Sequence, residues 1–395
     1  MTTLERVRPD AAVERPTVKQ WLSVAAVALG VFIVITAEML PVGLLTPIGA
    51  DLGVSTGVAG LMITVPGLVA AVAAPVSTVL TGRADRRRVL LALAALVAFA
   101  NLGSALATDF GLMLAARILV GISIGGFWSI AGGIALRLVP EAYVPRATAL
   151  VYGGIGAATV LGIPAGTFIG GHLGWRAALA ALAALSLAVF AAIAALVPKL
   201  PSTGAVRFAS LTRMVRADRG VLVGLALTFL IVSGHFVAYT YIRAILNANG
   251  IAETAVSGLL MVFGVAALLA TLSSGRLIGS HLRPTLVGLA TAMSLGMALM
   301  SFAVGDVFTA AAVLVLWGIG YGMVSPAVQT WYLRAAPREA EAATSLNTMM
   351  FNLSIATGSF VGGLVLDAAA ARTVLWIGAL LLVPAALLVS RTRPE

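Results

Sequence analysis

Two residues of opposite charge, Glu38 and Arg117, lie deep inside long apolar stretches of this 395-residue sequence. A charge near the middle of a bilayer costs about 3 kcal/mol even on lenient insertion scales, so a residue of this kind is by default a functional one. Counted at ~1.5 Å per residue from the nearer end of its stretch, Glu38 lies about 14 Å deep and Arg117 about 10 Å deep. We therefore expect the two charges to share one layer of the protein.

A proline close to Glu38 adds a backbone acceptor to this layer. Pro41 has no amide hydrogen, so the Ala37 carbonyl loses its intrahelical partner. Burial favours the neutral form of a carboxylic acid, whereas a nearby guanidinium favours the carboxylate. Opening the site to water, or moving Arg117, would then switch Glu38 between its two protonation states. The alternative is a purely structural pair that holds the first and fourth apolar stretches together.

The composition places these charges in a membrane protein. Hydrophobic residues make up 60% of the sequence and charged residues 10%, against about 25% charged residues in a soluble domain. The chain contains no Cys, which excludes disulfides, thiolate metal sites and Cys nucleophiles. Its three His residues, at positions 172, 235 and 281, are too scattered for a metal site, so we expect no metal or other cofactor.

Twelve apolar stretches are each long enough to cross the ~30 Å hydrocarbon core as a helix. They lack the residue alternation of β-barrel strands. We predict an all-α integral membrane protein with spans at 21–47, 57–80, 88–107, 110–138, 146–170, 176–197, 220–246, 254–278, 284–304, 307–334, 340–366 and 371–390. The predicted organisation is a tail at 1–20, a six-helix bundle at 21–197, a linker at 198–219, a second six-helix bundle at 220–390 and a tail at 391–395.

The positive charge lies almost entirely on one side of these spans. All but four of the 25 Lys and Arg residues fall in alternate gaps between the stretches. Short loops rich in Lys and Arg stay in the cytoplasm during insertion. We predict a multi-pass protein of the inner (plasma) membrane with both termini and the linker in the cytoplasm. The topology accounts for the basic charge, so we expect a bilayer and no nucleic acid as its partner.

Short motifs recur in the two predicted bundles, about half the chain apart. Three motifs are found in both: Gly82-Arg83 with Gly275-Arg276, Leu136 to Pro140 with Leu333 to Pro337, and Gly166 to Gly171 with Gly358 to Gly363. Matching motifs fall on the same side of the membrane, so the repeat is parallel. In secondary transporters such a repeat places the substrate near the midplane between the halves, and rocking of one half against the other gives alternating access.

The loop after the second stretch contains Gly82, Asp85 and Arg86, followed by Arg87 and Arg88. This sequence and its position resemble the signature of the major facilitator superfamily. The resemblance implies the major facilitator fold, with twelve transmembrane helices in two parallel six-helix repeats. It also implies that Gly82, Asp85 and Arg86 form a conformational latch, in which Asp85 pairs with charge at the cytoplasmic end of another helix in the outward-facing state. The alternative is that the arginines only enforce topology.

Small residues in the fifth stretch form a ridge without side chains, on which another helix can pack closely. The ridge recurs every four residues: Gly154, Ala158, Gly162, Gly166 and Gly170. Pro164 is expected to bend it. The ridge and its proline resemble the fifth-helix motif of the proton-driven antiporter branch of the superfamily. Arg117 with Gly121 resembles the superfamily's fourth-helix Arg motif, which is associated with proton coupling.

Polar and aromatic residues in the spans form a candidate substrate cavity with donors, acceptors and stacking faces. They are Thr36, Glu38, Arg117, Phe127, Trp128, His235, Tyr239, Tyr241, Trp317, Gln329, Asn347 and Asn352. The members from the second half include no acid, so a neutral, planar, hydrogen-bonding solute fits better than a lipophilic cation. Taken singly, each is equally well explained by interfacial anchoring or by hydrogen bonding between helices.

Four stretches are similar to those of the bacterial purine ribonucleoside efflux pumps, proton antiporters near the arabinose-efflux permeases: Glu38–Pro47, Gly125–Trp128, Arg137–Pro140 and Thr240–Arg243. The resemblance implies an exporter that exchanges purine ribonucleosides for protons, with Glu38 and Arg117 in the coupling site. We expect it to be a monomer. A sugar or multidrug exporter differs only in its cavity chemistry.

Other function classes fit less well. We find no clustered nucleophile, base or metal ligands that would indicate an enzyme. The two lysines, Lys19 and Lys199, lack the phosphate-loop context of an ATP-driven pump. A receptor that transports nothing would be distinguished by the absence of solute flux.

Overall fold

The computed structural model of the chain describes residues 15–80, 84–201, 218–302 and 304–392. Within these ranges, twelve helices are long and apolar enough to cross a membrane. They are α1 (Val18–Gly43), α2 (Thr56–Ser77), α3 (Arg86–Ala105), α4 (Phe110–Trp128), α5 (Glu141–Leu173), α6 (Trp175–Leu196), α7 (Arg219–Tyr239), α8 (Glu253–Ser273), α9 (Gly275–Phe302), α10 (Val307–Ala335), α11 (Ala343–Ala368) and α12 (Ala371–Arg391). The predicted all-α class and the number of spans are confirmed. Most of the predicted linker and the first 14 residues of the predicted tail lie outside the described residues.

Several helix ends differ from the predicted boundaries for identifiable reasons. Helix α1 begins three residues early because Thr17 and Gln20 form a reciprocal capping box, in which each side chain accepts from the other's backbone amide. Helix α9 begins nine residues early because a short exposed segment precedes the span. The non-helical residue His281 (φ −135°, ψ 49°) separates this segment from the span proper, which starts close to the predicted position.

The two halves of the chain repeat one packing pattern. In the first half α1 packs on α5, α2 on α4 and α3 on α6, and in the second half α7 packs on α11, α8 on α10 and α9 on α12. Each of these pairs has its counterpart six helices later, as the parallel repeat in the sequence predicts. The halves meet mainly where α2 packs against α11 and where α5 packs against α8.

We name the ends of the helical bundle by their loops. The basic end is the end at which α1 begins, and it carries Arg86, Arg87 and Arg88 in the first turn of α3. The opposite end, with the loops at 51–56 and 106–110, is called the distal end.

The glycine ridge of α5 packs along α1, one turn against one turn. A Cβ atom added at each of four glycines would come within 2.2 to 2.4 Å of α1 or of the segment that follows it: Gly154 on the Ala28 carbonyl oxygen, Gly162 on Thr36, Gly166 on Leu40 and Gly170 on Leu44. Such separations are far below van der Waals contact, so the two helices lie this close only because the ridge has no side chains.

Helix α5 widens into one π-helical turn at Ala158–Gly162, just before Pro164. A wide turn of this kind and a proline are both recognised causes of helix bending. The other side of the turn faces the second half of the protein, where a Cβ atom at Gly264 of α8 would lie 2.6 Å from the Thr159 carbonyl oxygen. The irregular turn thus lies where α5 contacts both α1 and α8.

We expect Gly154→Ala to destabilise the protein, because the added methyl group would meet the backbone oxygen of Ala28, which cannot rotate away. Overpacking of this kind costs about 1–3 kcal/mol. The matched control is Gly153→Ala at the next position, where an added Cβ meets nothing within 4 Å. Thermal unfolding of the detergent-purified variants, followed by tryptophan fluorescence, measures the difference. Equal melting temperatures for the two variants would show that the ridge does not set the α1–α5 distance.

Candidate functional site

Arg117 of α4 is fully buried and binds the backbone of α1. Its Nη1 donates to the Ala37 carbonyl oxygen at 2.7 Å. This is the carbonyl that Pro41 leaves without an intrahelical donor, because proline has no amide hydrogen. The backbone acceptor predicted beside Glu38 is therefore occupied by the predicted arginine. The Nε and Nη2 atoms of Arg117 have no partner among the described residues.

Glu38 is one residue further along α1 and is 3% exposed. Its Oε1 atom has no hydrogen-bond partner within the described part of the chain, and no ion pair between Glu38 and Arg117 is found there. The two charges thus share a layer without neutralising each other directly. A buried carboxyl group with an unsatisfied oxygen is suited to gaining and losing a proton or to binding a ligand donor.

Six rings of the second half form an aromatic cluster: His235, Phe236, Tyr239, Phe263, Trp317 and Tyr321. His235 lies nearly parallel to Tyr321, with centroids 3.8 Å apart and planes at 13°, and stacks on Tyr239 at 4.7 Å and 22°. Trp317 meets His235 edge-on at 5.6 Å and donates its Nε1–H to His235 Nδ1 at 3.0 Å. The cluster thus combines the predicted His235, Tyr239 and Trp317 with three rings that were not predicted.

The aromatic cluster and the buried acid lie on opposite sides of the interface between the halves. Tyr321 of α10 lies near Glu38 of α1 across this interface. A solute between them would meet a carboxyl group from the first half and flat aromatic faces from the second. This juxtaposition is the chemical centre of the candidate site.

Two other predicted cavity residues of the first half line a small crevice between α1 and α4. Phe127 and Trp128 line it together with Val31, Val34 and Ile35, and it has room for about one water molecule. Thr36, one residue beyond Ile35, is buried and its hydroxyl has no partner among the described residues.

The predicted amides of the second half bind protein groups. Asn347 Nδ2 donates to Gln329 Oε1 at 2.8 Å, and Gln329 Nε2 donates to Thr344 Oγ1 at 2.7 Å. Asn352 Nδ2 donates to the Thr348 carbonyl oxygen at 2.9 Å. In this structure these hydrogen bonds tie α10 to α11 and stabilise α11 locally.

Tyr241 lies at the distal end rather than in the aromatic cluster. Its hydroxyl donates to the carbonyl oxygens of Ser359 at 2.7 Å and Gly57 at 3.4 Å. Close by, the Asp367 carboxylate accepts from the Gly57 amide at 3.0 Å and from the Ser55 hydroxyl. These bonds join α2 of the first half to α7 and α11 of the second, so Tyr241 contributes to closing the distal end.

A second distal contact strengthens this closure. Arg243 is buried and donates to the Gly43 carbonyl oxygen of the other half, while its Nη2 atom lies 3.2 Å from Glu253 Oε2. Arg243 and Asp367 are functional candidates that were missed in the sequence. Tyr321 and Phe263 were missed as well, although Tyr321 is four residues after Trp317 and thus on the same helix face.

Asp85 caps α3 at the basic end. Its Oδ1 atom accepts from the Arg87 amide at 2.8 Å and from the Leu200 amide at 3.1 Å, and the Arg86 amide donates to the Leu200 carbonyl oxygen at 2.8 Å. Partial burial raises the pKa of the Asp85 carboxyl, but the amides of Leu200 and Arg87 outweigh this effect and hold the pKa below its usual range. Gly82, the first residue of the predicted latch, lies outside the described residues.

Comparison with known proteins places this geometry in a family. The family model described as "Major Facilitator Superfamily" matches residues 27–350 and 221–395. The purine ribonucleoside efflux pump NepI of Salmonella paratyphi A (strain ATCC 9150 / SARB42) is 32% identical over 364 residues, which cover 92% of this chain and 90% of that protein. NepI of Escherichia coli O6:K15:H31 (strain 536 / UPEC) is 31% identical over 380 residues, covering 96% and 95%.

A solved structure shares the fold at much lower sequence identity. It is a bacterial homologue of the human lysosomal transporter Spinster in an inward-facing and unoccupied conformation, with a TM-score of 0.74, 14% identity and coverage of 94% of this chain and 96% of that one. The two six-helix halves, the buried charges of the first half and these matches lead to one conclusion. The chain belongs to the major facilitator superfamily and is a multi-pass membrane transporter, not an enzyme.

Proposed function

We propose that this transporter exports purine ribonucleosides in exchange for protons by alternating access. The observation that carries the proposal is the buried carboxyl group of Glu38, whose Oε1 has no partner among the described residues, near the Tyr321 ring of the stacked aromatic cluster. Aromatic faces suit a flat base, and a buried acid suits a proton. The curated relatives named as purine ribonucleoside efflux pumps support the same substrate class.

Coupling follows from the position of Glu38 beside Arg117. The guanidinium is held on the Ala37 carbonyl, and a shift of α4 against α1 that breaks this bond would change the distance between the guanidinium and the acid. Desolvation favours the protonated acid, and access of water or of a cation favours the carboxylate. Glu38 then takes up a proton on the outer side and releases it on the inner side, while substrate occupancy favours the opposite steps.

The distal clamp, formed by Ser55, Gly57, Tyr241, Arg243 and Asp367, gives this scheme a direction. The distribution of positive charge supports an orientation in the inner (plasma) membrane in which the basic end faces the cytoplasm. The distal end then faces the outside of the cell. Because hydrogen bonds join the two halves there, this structure is closed to solutes on the outer side. Export requires these bonds to open after the substrate has bound from the cytoplasm.

The predicted latch at Asp85 would act in the outward-facing state, in which the basic end is closed. Here the carboxylate accepts from the amide of Leu200, at the start of the predicted linker. Its ionised form remains available for a basic partner on the other half when the basic end closes. Asp85 would thus exchange a contact with the linker for a contact that stabilises the outward-facing state.

The orientation is tested by single cysteines introduced into this Cys-free chain. Thr108 is exposed in the loop before α4, and Glu141 is exposed at the start of α5. We expect a membrane-impermeant maleimide to label Thr108→Cys in intact cells and Glu141→Cys only after permeabilisation, because the basic loops face the cytoplasm. The reverse pattern would overturn the assignment of both termini.

The latch is tested with Asp85→Asn, which keeps an oxygen acceptor for the two amides and removes the charge. We expect the population to shift toward the inward-facing state and turnover to slow several-fold, with equilibrium substrate binding less affected. Transport rates in proteoliposomes and spin-label distances across the basic end measure these effects. The control is Arg88→Ala, at an exposed position of the same helix turn. Equal effects of the two variants would mean that the loop acts only through its total charge.

The coupling role is tested with Glu38→Gln, which keeps the shape of the side chain and removes its titration. We expect loss of gradient-driven nucleoside accumulation, while downhill exchange is partly retained, since exchange needs no net proton transfer. Arg117→Ala should impair coupling more than Arg117→Lys, which keeps a cation near the Ala37 carbonyl. Inosine uptake and proton movement in inverted proteoliposomes under an imposed pH gradient measure both. If Glu38→Gln still transports nucleoside against its gradient with the pH dependence of the wild type, another group must carry the coupled proton.

The same vesicles separate the alternative substrates. A sugar and drug panel, offered beside inosine and guanosine, tests the sugar or multidrug exporter directly. Flux of a sugar or drug without flux of any nucleoside would replace the proposed substrate class and leave the coupling mechanism standing.

A further inference from the structure

His235 has a buried ring nitrogen without a partner. Trp317 Nε1–H is a donor only, and it donates to His235 Nδ1 at 3.0 Å. In a neutral imidazole the proton must then be on Nε2. His235 is 0% exposed, and its Nε2 atom has no partner among the described residues. A buried donor left without an acceptor is unfavourable, so its presence calls for an explanation.

The surrounding rings define a plane in which an acceptor could lie. Tyr321, Tyr239 and Phe263 are inclined by only 13°, 22° and 19° to the His235 ring. A flat ligand that accepts from Nε2–H in the plane of His235 is therefore parallel to these faces and can stack on them. Aromatic faces bind the flat surface of a heteroaromatic ring, and an N–H donor in the same plane binds an acceptor on its edge. A site with both kinds of group recognises a heteroaromatic ring rather than a sugar.

Access of a ligand to His235 requires movement of the Tyr321 ring. The other five rings of the aromatic cluster are buried, whereas Tyr321 is partly exposed and faces Glu38 of the other half. It also lies next to the interruption of α10 at Met323, between the helical segments Val307–Gly322 and Val324–Ala335. A movement of the Tyr321 ring would uncover His235 toward the interface without disturbing the packed rings behind it.

We propose that His235 is a specificity-determining residue, which donates Nε2–H to the N7 or O6 acceptor edge of a purine base stacked against Tyr321. This inference rests on the proposed nucleoside transport. Guanine and hypoxanthine present both acceptors on one edge, whereas the ribose has no flat face. The Trp317 bond has the supporting role of fixing the tautomer that donates.

The test is equilibrium binding to the purified full-length protein, with radiolabelled guanosine and unlabelled competitors. The competitors are 7-deazaguanosine, which lacks the N7 acceptor, and 2-aminopurine riboside, which lacks O6. We expect one of them to bind the wild type about tenfold more weakly than guanosine, the effect of losing one hydrogen bond to a buried donor. Wild-type protein that binds guanosine and both competitors equally well would overturn the inference and leave the proposed function intact.

Variants of the cluster locate the donor. His235→Phe keeps an aromatic ring and removes Nε2–H, so we expect it to lose the discrimination while still binding the weaker competitor. His235→Gln places an amide donor at a similar distance and should restore part of the preference. The matched control, Tyr332→Phe, removes a hydroxyl group from a buried ring outside the aromatic cluster and should keep the wild-type ratio. Unchanged discrimination in His235→Phe would show that His235 only packs, and absence of nucleoside binding by the wild type would overturn the proposed function as well.

Discussion

The hydrogen bond from Arg117 to the Ala37 carbonyl fixes the geometry on which the candidate site depends. In a bilayer every buried polar backbone group needs a partner, and Pro41 leaves this carbonyl without one. A guanidinium can supply the donor across 2.7 Å from another helix. The result is an arginine anchored to the backbone rather than to the acid beside it. Glu38 thus shares a layer with Arg117 without forming an ion pair with it among the described residues, so no ion pair fixes its protonation state.

Close packing of α5 on α1 supports this arrangement. The four glycines of the ridge hold α1 from its middle to the segment beyond Glu38, because a side chain at these positions would overlap the Ala28 carbonyl or the side chains of Thr36, Leu40 and Leu44. The π-helical turn at Ala158–Gly162 lies within the ridge, where α5 also meets α8 of the other half. One irregular turn thus contacts both the helix that carries the acid and the half that carries the aromatic cluster. A motion of α5 at this turn would change both contacts together.

The two halves contribute different chemistry to the interface. The first provides the charged groups Glu38 and Arg117, and the second provides the stacked rings and the unpaired nitrogen of His235. Neither half alone offers both a titratable carboxyl group and a flat binding surface. The distal clamp joins the halves through the carbonyls of Gly43 and Gly57, which accept from Arg243 and Tyr241, and through the Gly57 amide, which donates to Asp367. A Cβ atom at Gly57 would lie 2.4 Å from the Asp367 carboxyl carbon, so this approach requires the absence of a side chain. Such contacts can break as a unit when the halves rock apart.

The sequence by itself determined the class, the twelve spans, the repeat, the glycine ridge and the layer of Glu38 and Arg117. These features follow from patterns along the sequence: the length of each apolar stretch, the positive charge on alternate loops, and one small residue per helical turn in α5. The tertiary structure alone decided the partners of the polar groups. Arg117 binds the carbonyl of Ala37 rather than the carboxylate of Glu38, Tyr241 joins the distal closure rather than His235, and Asp85 contacts the amide of Leu200. These partners are separated by 80 residues or more along the chain, and helix rotation and tilt, which no local pattern specifies, determine which of several nearby acceptors each side chain reaches.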